Sequence, residues 1–467
     1  MIHNTLHLLS IREIQEYLRH GRLTSVDLTH YYLERINRYN SRFHAFTAVD
    51  EVRADLDAQK ADQALLEGID LGPLHGIPYA LKDIIDVANV ETTCHSKLML
   101  NHYAKNHATL VKQLIAGGAV YMGKLATHEF ALGGPSEELP FPPARNPWNP
   151  EHFTGASSSG AGAAIAAGLI PVAIGSDTSG SIRGPACLCG VTGFKPTYGL
   201  VSRVGVFPLS WSMDHCGPLT RYVDDVAQVM SVICGVDPED PASVSTTIPF
   251  YSLPEVSLSS LRVAWPRHLL TDSPYTHPEV IASLDHTTEQ LQAAGASVEI
   301  VSFPNFSRFN ACGRVIMTAE SFVIHQNMLK ESPEKYGKFT FQRIIPGAVI
   351  TAAELLDAQR VRAEMTSWLN NNLLSEYDVM LFPSTLRPAP KFDEFGIDWP
   401  PSPSVVPSQT IVFNVTGNPA LNLPTGLSTS GLPIGMQLVG RLFDDARLLA
   451  IGQQLEKRIM MPALELS

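Results

Sequence analysis

The chain has 467 residues, 45% hydrophobic and 17% charged, with a formal net charge of −12. That is the composition of an ordinary globular protein with length enough for a large buried core, in two or three domains or one large α/β enzyme. The acidic balance, with no Lys/Arg run, argues against nucleic acid and anionic membrane surfaces as partners.

The opening stretch MIHNTLHLLSIREIQEYL has no basic segment followed by an apolar run, so it does not read as a secretory signal. The longest apolar stretch, AGAAIAAGLIPVAIG, is too short to span a bilayer and is broken by Gly168 and Pro171. A cytoplasmic location is therefore expected. Ser10 with Glu13 three residues on predicts a capping box, opening an amphipathic helix that stops near Gly21. A second helix is predicted from Ser25 through VDLTHYYLERI, and the two begin a helical layer over residues 1–65. Strand-like segments follow: AVYMG around Val120, IPVAI around Val172, LRVAW around Val263 and VMLFP around Met380. Long spacers, helical in pattern as from Asp445 to Leu455, separate them, and this alternation predicts an α/β fold around one sheet.

The run from Pro383 to Pro407 holds seven prolines and reads either as a linker or as a long loop over a site. Strand-like PALNLP and PIGMQLVG resume after it, which favours a loop inside a single domain spanning 1–467. The six cysteines are scattered and are expected to be buried, reduced thiols. Cys187-Leu188-Cys189 lacks the two-residue gap of a zinc knuckle and has no second pair, so no metal is expected.

The chemistry concentrates in SDTSGSIRG, residues 176–184, where a glycine-rich turn after the strand PVAIG presents Ser181. Such a turn can offer backbone N–H groups to an oxyanion, although taken alone it is more often only a turn. A phosphate loop is excluded, because no lysine follows the glycines, and the Gly-x-Ser-x-Gly elbow is absent. The only histidine within thirty residues is His152, so a histidine base is not at hand locally. A lysine made neutral by burial is an alternative base. Lys82 ends the apolar run of PLHGIPYALKD; beside Asp83 it would by itself read as half of a surface ion pair. Upstream, TGASSSGAGAAIAAGLIP sets Ser157, Ser158 and Ser159 ahead of an Ala/Gly helix that should end at Gly168.

Together LHGIPYALKD, TGASSSGAGAAIAAG and GSDTSGSIRGPACLCGVTGFKPTYG resemble the amidase signature family, and their spacing matches. The likeness runs over nearly the whole chain, through DHCGPLTR to NPALNLPTGLSTSGLPIGMQLVGR. It implies a central twisted mixed β-sheet covered on both faces by helices, with the core motifs over about 74–200. It also implies a Ser–cisSer–Lys triad. Ser181 attacks an amide carbonyl to form an acyl-enzyme, and Ser157, in a cis bond with Ala156, relays the proton to Lys82. The backbone N–H groups of Thr178, Ser179, Gly180 and Ser181 match the family's oxyanion hole. No metal or organic cofactor is implied.

Two residues depart from the pattern. Ser179 and Ser159 stand where the family often has glycine, and a positive φ at Ser179 would be uncomfortable. Asp177 and Arg183 are expected to form a buried pair or to bond the loop backbone. Ser158 reads equally as support for the triad or as a helix cap. His128, in GKLATHEFALGG, is a candidate substrate contact, although a lone histidine there is more often structural. Asp214 and His215, adjacent on an extended chain, point apart and do not suit a classical triad. Arg343, in FQRIIPG, resembles an arginine that some relatives use to hold a substrate carboxylate, against the default of a surface arginine.

The leading expectation is a stand-alone amidase acting on a small carboxamide, with room for a homodimer. The alternative within the family is the glutamine-hydrolysing component of a tRNA-dependent amidotransferase, its A subunit, which releases ammonia from glutamine for a second protein; THEFALGG departs from the usual pattern of that component. A non-catalytic binding protein on the same fold is the reading of another class, and the presence of Lys82, Ser157 and Ser181 together argues against it. Specificity is expected from the loops at 127–145, 310–350 and 383–415.

Overall fold

In the computed structural model, which describes residues 5–395, 408–459 and 461–466, Ser10 opens the first helix as its sequence predicts. Its hydroxyl accepts the Glu13 N–H while the Glu13 carboxylate accepts the Ser10 N–H, which satisfies two of the orphan donors of a helix start. That helix, Ile11–Arg19, buries Ile11, Ile14 and Leu18. The next, Ser25–Phe43, is capped by Thr24, and Glu51–Leu66 completes the N-terminal helices.

Eleven strands form one mixed sheet. They are β1 (Phe46–Val49), β2 (Pro78–Lys82), β3 (Val120–Leu125), β4 (Val172–Asp177), β5 (Thr192–Lys195), β6 (His215–Thr220), β7 (Arg262–Trp265), β8 (Ser297–Ile300), β9 (Val379–Pro383), β10 (Ala420–Leu427) and β11 (Pro433–Val439). Their order across the sheet is β1-β3-β2-β4-β6-β5-β10-β11-β9-β7-β8. The trio β3-β2-β4 runs parallel, as do β9-β7-β8, and the strands between them are antiparallel. Every residue of β2, β3 and β4 is buried, as parallel strands covered by helices must be.

The Ala/Gly helix is Ser159–Ala166, and all eight of its residues are buried. A Cβ on Gly160 would lie 2.3 Å from the Ala45 carbonyl oxygen, so the small side chains let the helix backbone sit against its neighbours. The long helix Phe306–Glu331 packs against Ala352–Trp368 and the short helix Ile411–Val415. Phe303, Phe306, Phe309, Phe382 and Phe413 fill the space around these helices.

All six cysteines are free, and Cys234 alone is not fully buried. The first part of the proline-rich loop lies over residues 151–153: the Phe153 N–H donates to the Pro390 carbonyl, and the Phe392 N–H to that of Glu151. Residues 396–407 of that loop lie outside the described residues. No described helix is long and apolar enough to cross a membrane.

Candidate active site

Lys82 ends β2 with no exposed surface. Its neighbour β4 is parallel, with Leu81 opposite Ile174, so Lys82 and Ser176 emerge at the same end of the sheet. The Lys82 ammonium donates to Ser157 Oγ at 2.6 Å and to Ser176 Oγ at 2.9 Å. Burial pushes its pKa down to about 7, against the upward pull of the Asp177 carboxylate. Asp83 is not its partner. That carboxylate accepts from Thr93 and faces Lys124 at 3.4 Å, so the adjacent acid is satisfied elsewhere and Lys82 stays available.

The peptide bond between Ala156 and Ser157 is cis. Ser158 occupies the N-cap position but makes no capping bond. Its N–H donates to the Ser181 carbonyl and its hydroxyl to the Ser176 carbonyl, while the Ser176 N–H returns to Ser158 Oγ. Ser158 thus ties the segment carrying Ser157 to the strand end and to Ser181, which favours the supporting role over the cap. Ser159 donates to the Ala126 carbonyl.

Asp177 and Arg183 form a fully buried bidentate pair. Burial pushes the Asp177 carboxyl up, and the Arg183 guanidinium with the Asn414 amide outweighs it, holding the group well below the usual carboxylate range. Arg183 also donates to the Thr410 carbonyl, Gln437 Oε1 and Asn414 Oδ1, so its fork is saturated. The Asp177 carboxylate meanwhile accepts the N–H groups of Gly180 (2.7 Å) and Ile182 (3.1 Å).

That last contact corrects the expected oxyanion hole. The Gly180 N–H is already engaged by the Asp177 carboxylate, unlike the other N–H groups of the expected set. Gly180 instead supplies the turn: its φ is +117°, and a Cβ there would fall 2.1 Å from Thr410 Oγ1. The N–H groups of Ser179 and Ser181 make no hydrogen bond among the described residues. Ser179 has no positive φ, so its departure from glycine carries no backbone strain. Thr178 donates its hydroxyl to Asp214 at 2.6 Å, and burial raises the Asp214 carboxyl to about 6. His215, the first residue of β6, turns its Nδ1 to the Met213 carbonyl, while Asp214 just before the strand accepts from Thr178, so the two face different partners.

Ser157, Ser179 and Ser181 share the wall of one cavity of about 590 Å³. Arg343 lines it as well, which replaces the surface placement that a bare sequence favours. His128 is corrected as a substrate contact: it is buried off this wall, its Nδ1 2.6 Å from the Gly133 carbonyl and its ring against Phe153. Burial lowers its pKa to about 3, so it stays neutral. Sequence reasoning missed Ser176, Arg314, Thr410 and Asn414. Ser176 was legible in principle, since it alternates with Asp177 along a strand next to Lys82; the others sit far off in the chain with no motif around them.

The family profile described as Amidase matches residues 27–449. The A subunit of glutamyl-tRNA(Gln) amidotransferase from Synechococcus sp. (strain WH7803) is 34% identical, over 96% of this chain and 97% of its own. A solved structure reported as an unexpected vestigial protein complex revealing the evolutionary origins of an s-triazine catabolic enzyme superposes with a TM-score of 0.88. It is 33% identical, over 98% of this chain and all of its own. A crystal structure described as amidase gives 0.86 at 31% identity, over 97% of this chain and all of its own.

Proposed function

The chain belongs to the amidase family, and on that premise we propose that it breaks the carbon–nitrogen bond of an amide through an acyl-enzyme on Ser181. The observation that carries the reading is a fully buried lysine, Lys82, held 2.6 Å from Ser157 beside the cavity that Ser181 lines. Ser181 Oγ adds to the amide carbonyl, passing its proton to Ser157 as Ser157 passes its own to neutral Lys82 Nζ. The backbone N–H groups of Ser179 and Ser181, with that of Thr178, receive the oxyanion. The intermediate collapses as the relay runs backwards and protonates the leaving nitrogen. Water then adds to the ester, giving up its proton along the same path, and the acid leaves as Ser181 regains its hydrogen.

The base must be neutral, so its pKa sets the acid limb of activity. Lys82 titrates near 7, and kcat/KM is expected to be flat above that pH and to fall about tenfold per unit below it. A pH–rate profile measures this, and an unbroken rate down to pH 5 would remove Lys82 as the base.

A second reading is favoured by the curated relatives, which carry the name of an amidotransferase component over nearly the whole chain. In it the substrate is glutamine and the ammonia passes to a second protein of the complex. Ammonia release by the purified chain, alone and with the other amidotransferase components added, separates the two. Turnover by the chain alone supports the stand-alone amidase; turnover only with partners supports the amidotransferase reading. In both, a fluorophosphonate adduct on Ser181 is expected by mass spectrometry. Its absence, with no ammonia released, would leave a binding protein.

A further inference from the structure

Carboxylates hold the turn that presents Ser181 at both of its ends. At the far end Asp177 accepts the Gly180 and Ile182 N–H groups. At the near end Asp214 Oδ1 accepts the Thr178 hydroxyl at 2.6 Å. We propose that Asp214 is a positioning residue for amide cleavage, fixing through Thr178 the Ser179 peptide N–H that receives the oxyanion. The proposal rests on the amide-hydrolase reading above and adds to it a residue outside the turn.

Asp214 is itself tightly held. Its Oδ2 accepts the Leu209 N–H at 2.9 Å, and the Ser210 N–H reaches both carboxylate oxygens. Glu320, in the long helix Phe306–Glu331, accepts the Ser210 hydroxyl and, at 3.1 Å, the Ser212 N–H. The segment from Leu209 to Asp214 thus braces the turn against the helix that carries Met317, Thr318 and Ser321 to the cavity wall. Open space behind the turn gives the brace its purpose: Ser176, Thr178, Leu209 and Asp214 line a second cavity of about 220 Å³. A side chain beside such a space is not confined by packing, whereas a charge-assisted hydrogen bond fixes its rotation. The Ser179 carbonyl is fixed separately, by the Thr410 hydroxyl, so the peptide after Ser179 does not depend on Asp214. The peptide before it begins at Thr178, and a rotation there swings the Ser179 N–H away from the developing charge.

Thr178→Val tests this directly, because it keeps the shape and every backbone N–H and removes only the donor to Asp214. At about pH 8.5 Lys82 is neutral and Asp214 charged, so neither titration confuses the comparison. On an amide that the wild-type turns over, Thr178→Val is expected to lower kcat about ten- to a hundredfold, with KM changed by less than about twofold. Thr178→Ser keeps the hydroxyl and should retain most of the activity. Asp214→Asn should fall between wild-type and Asp214→Ala, since its amide can meet the same partners without the charge. Adding Thr178→Val to Asp214→Ala should cost little more, because both cut one bond. The rate at which an alkyl fluorophosphonate labels Ser181 should follow the same order, since its phosphoryl oxygen calls on the same donors. Denaturant midpoints separate positioning from stability. A Thr178→Val protein with a lowered midpoint but unchanged kcat and labelling rate would make the bond purely structural and overturn the proposal, as would a loss confined to KM. Should Asp214→Ala not fold, the contrast between Thr178→Val and Thr178→Ser decides alone. A wild-type that neither labels at Ser181 nor cleaves an amide defeats the hydrolase reading and the proposal with it. An active, labelled wild-type matched by Thr178→Val defeats the proposal only.

Discussion

Ser181→Ala is expected to lower amide hydrolysis by on the order of ten-thousandfold or more, because no covalent intermediate can then form. Lys82→Ala and Ser157→Ala should lose activity on a similar scale, since each breaks the proposed relay, of which the Lys82–Ser157 hydrogen bond is one link. The three act as a unit, so the double variant Lys82→Ala/Ser181→Ala is expected to be no worse than Ser181→Ala alone. Ammonia release from a substrate that the wild-type turns over measures all four proteins, and fluorophosphonate labelling adds a second readout. Lys82→Ala retains Ser181 but loses its activation, so it should label slowly, whereas Ser181→Ala should not label there at all. Losses that multiplied in the double variant would mean that Lys82 and Ser181 contribute independently, and the relay would be wrong.

The parts of this molecule that were legible in the sequence share a physical cause. Ser10 and Glu13 announce a helix because the capping pair is local, and the short apolar runs of β4, β7 and β9 announce strands because they are buried in the sheet. Strand β6 was missed: HCGPLT carries glycine and proline, which normally weaken a strand, and only its place between β4 and β5 makes it one. Strands β1 and β8 are four residues each, too short to show a period. At the site, Lys82, Ser157 and Ser181 became readable through three motifs taken together. No single motif discloses that Lys82 is buried or that Asp83 turns to Lys124. The side chains that hold or line the site from the far end of the chain, Arg314, Thr410, Asn414 and Gln437, are set by tertiary packing alone. His128 shows the opposite limit: it sits in a matching segment, yet its ring bonds the Gly133 carbonyl and never reaches the cavity wall.

Arg183→Met is expected to be among the most damaging substitutions for stability, at about 3–5 kcal/mol, because it leaves the Asp177 carboxylate buried without its counter-charge. Arg183→Lys should restore little, since a point charge cannot supply the forked contacts to Asp177, Thr410, Asn414 and Gln437 at once. Asp177 also accepts the Gly180 N–H, so the fraction that folds should have a slackened turn at Ser181 and a kcat well below wild-type. The pH dependence separates the charge from the packing. In the wild-type the Asp177 carboxyl is held well below its unfolded value, so its contribution is fully present above about pH 4 and fades as the pH falls further. In Arg183→Met that carboxyl takes up a proton more readily in the folded state, which removes the unpaired charge. Denaturant midpoints should therefore show a wide gap between the two proteins at pH 7 that narrows toward pH 3. A gap of equal size at both would mean that the pair holds the turn through shape and hydrogen bonding alone, and that charge plays no part in presenting Ser181.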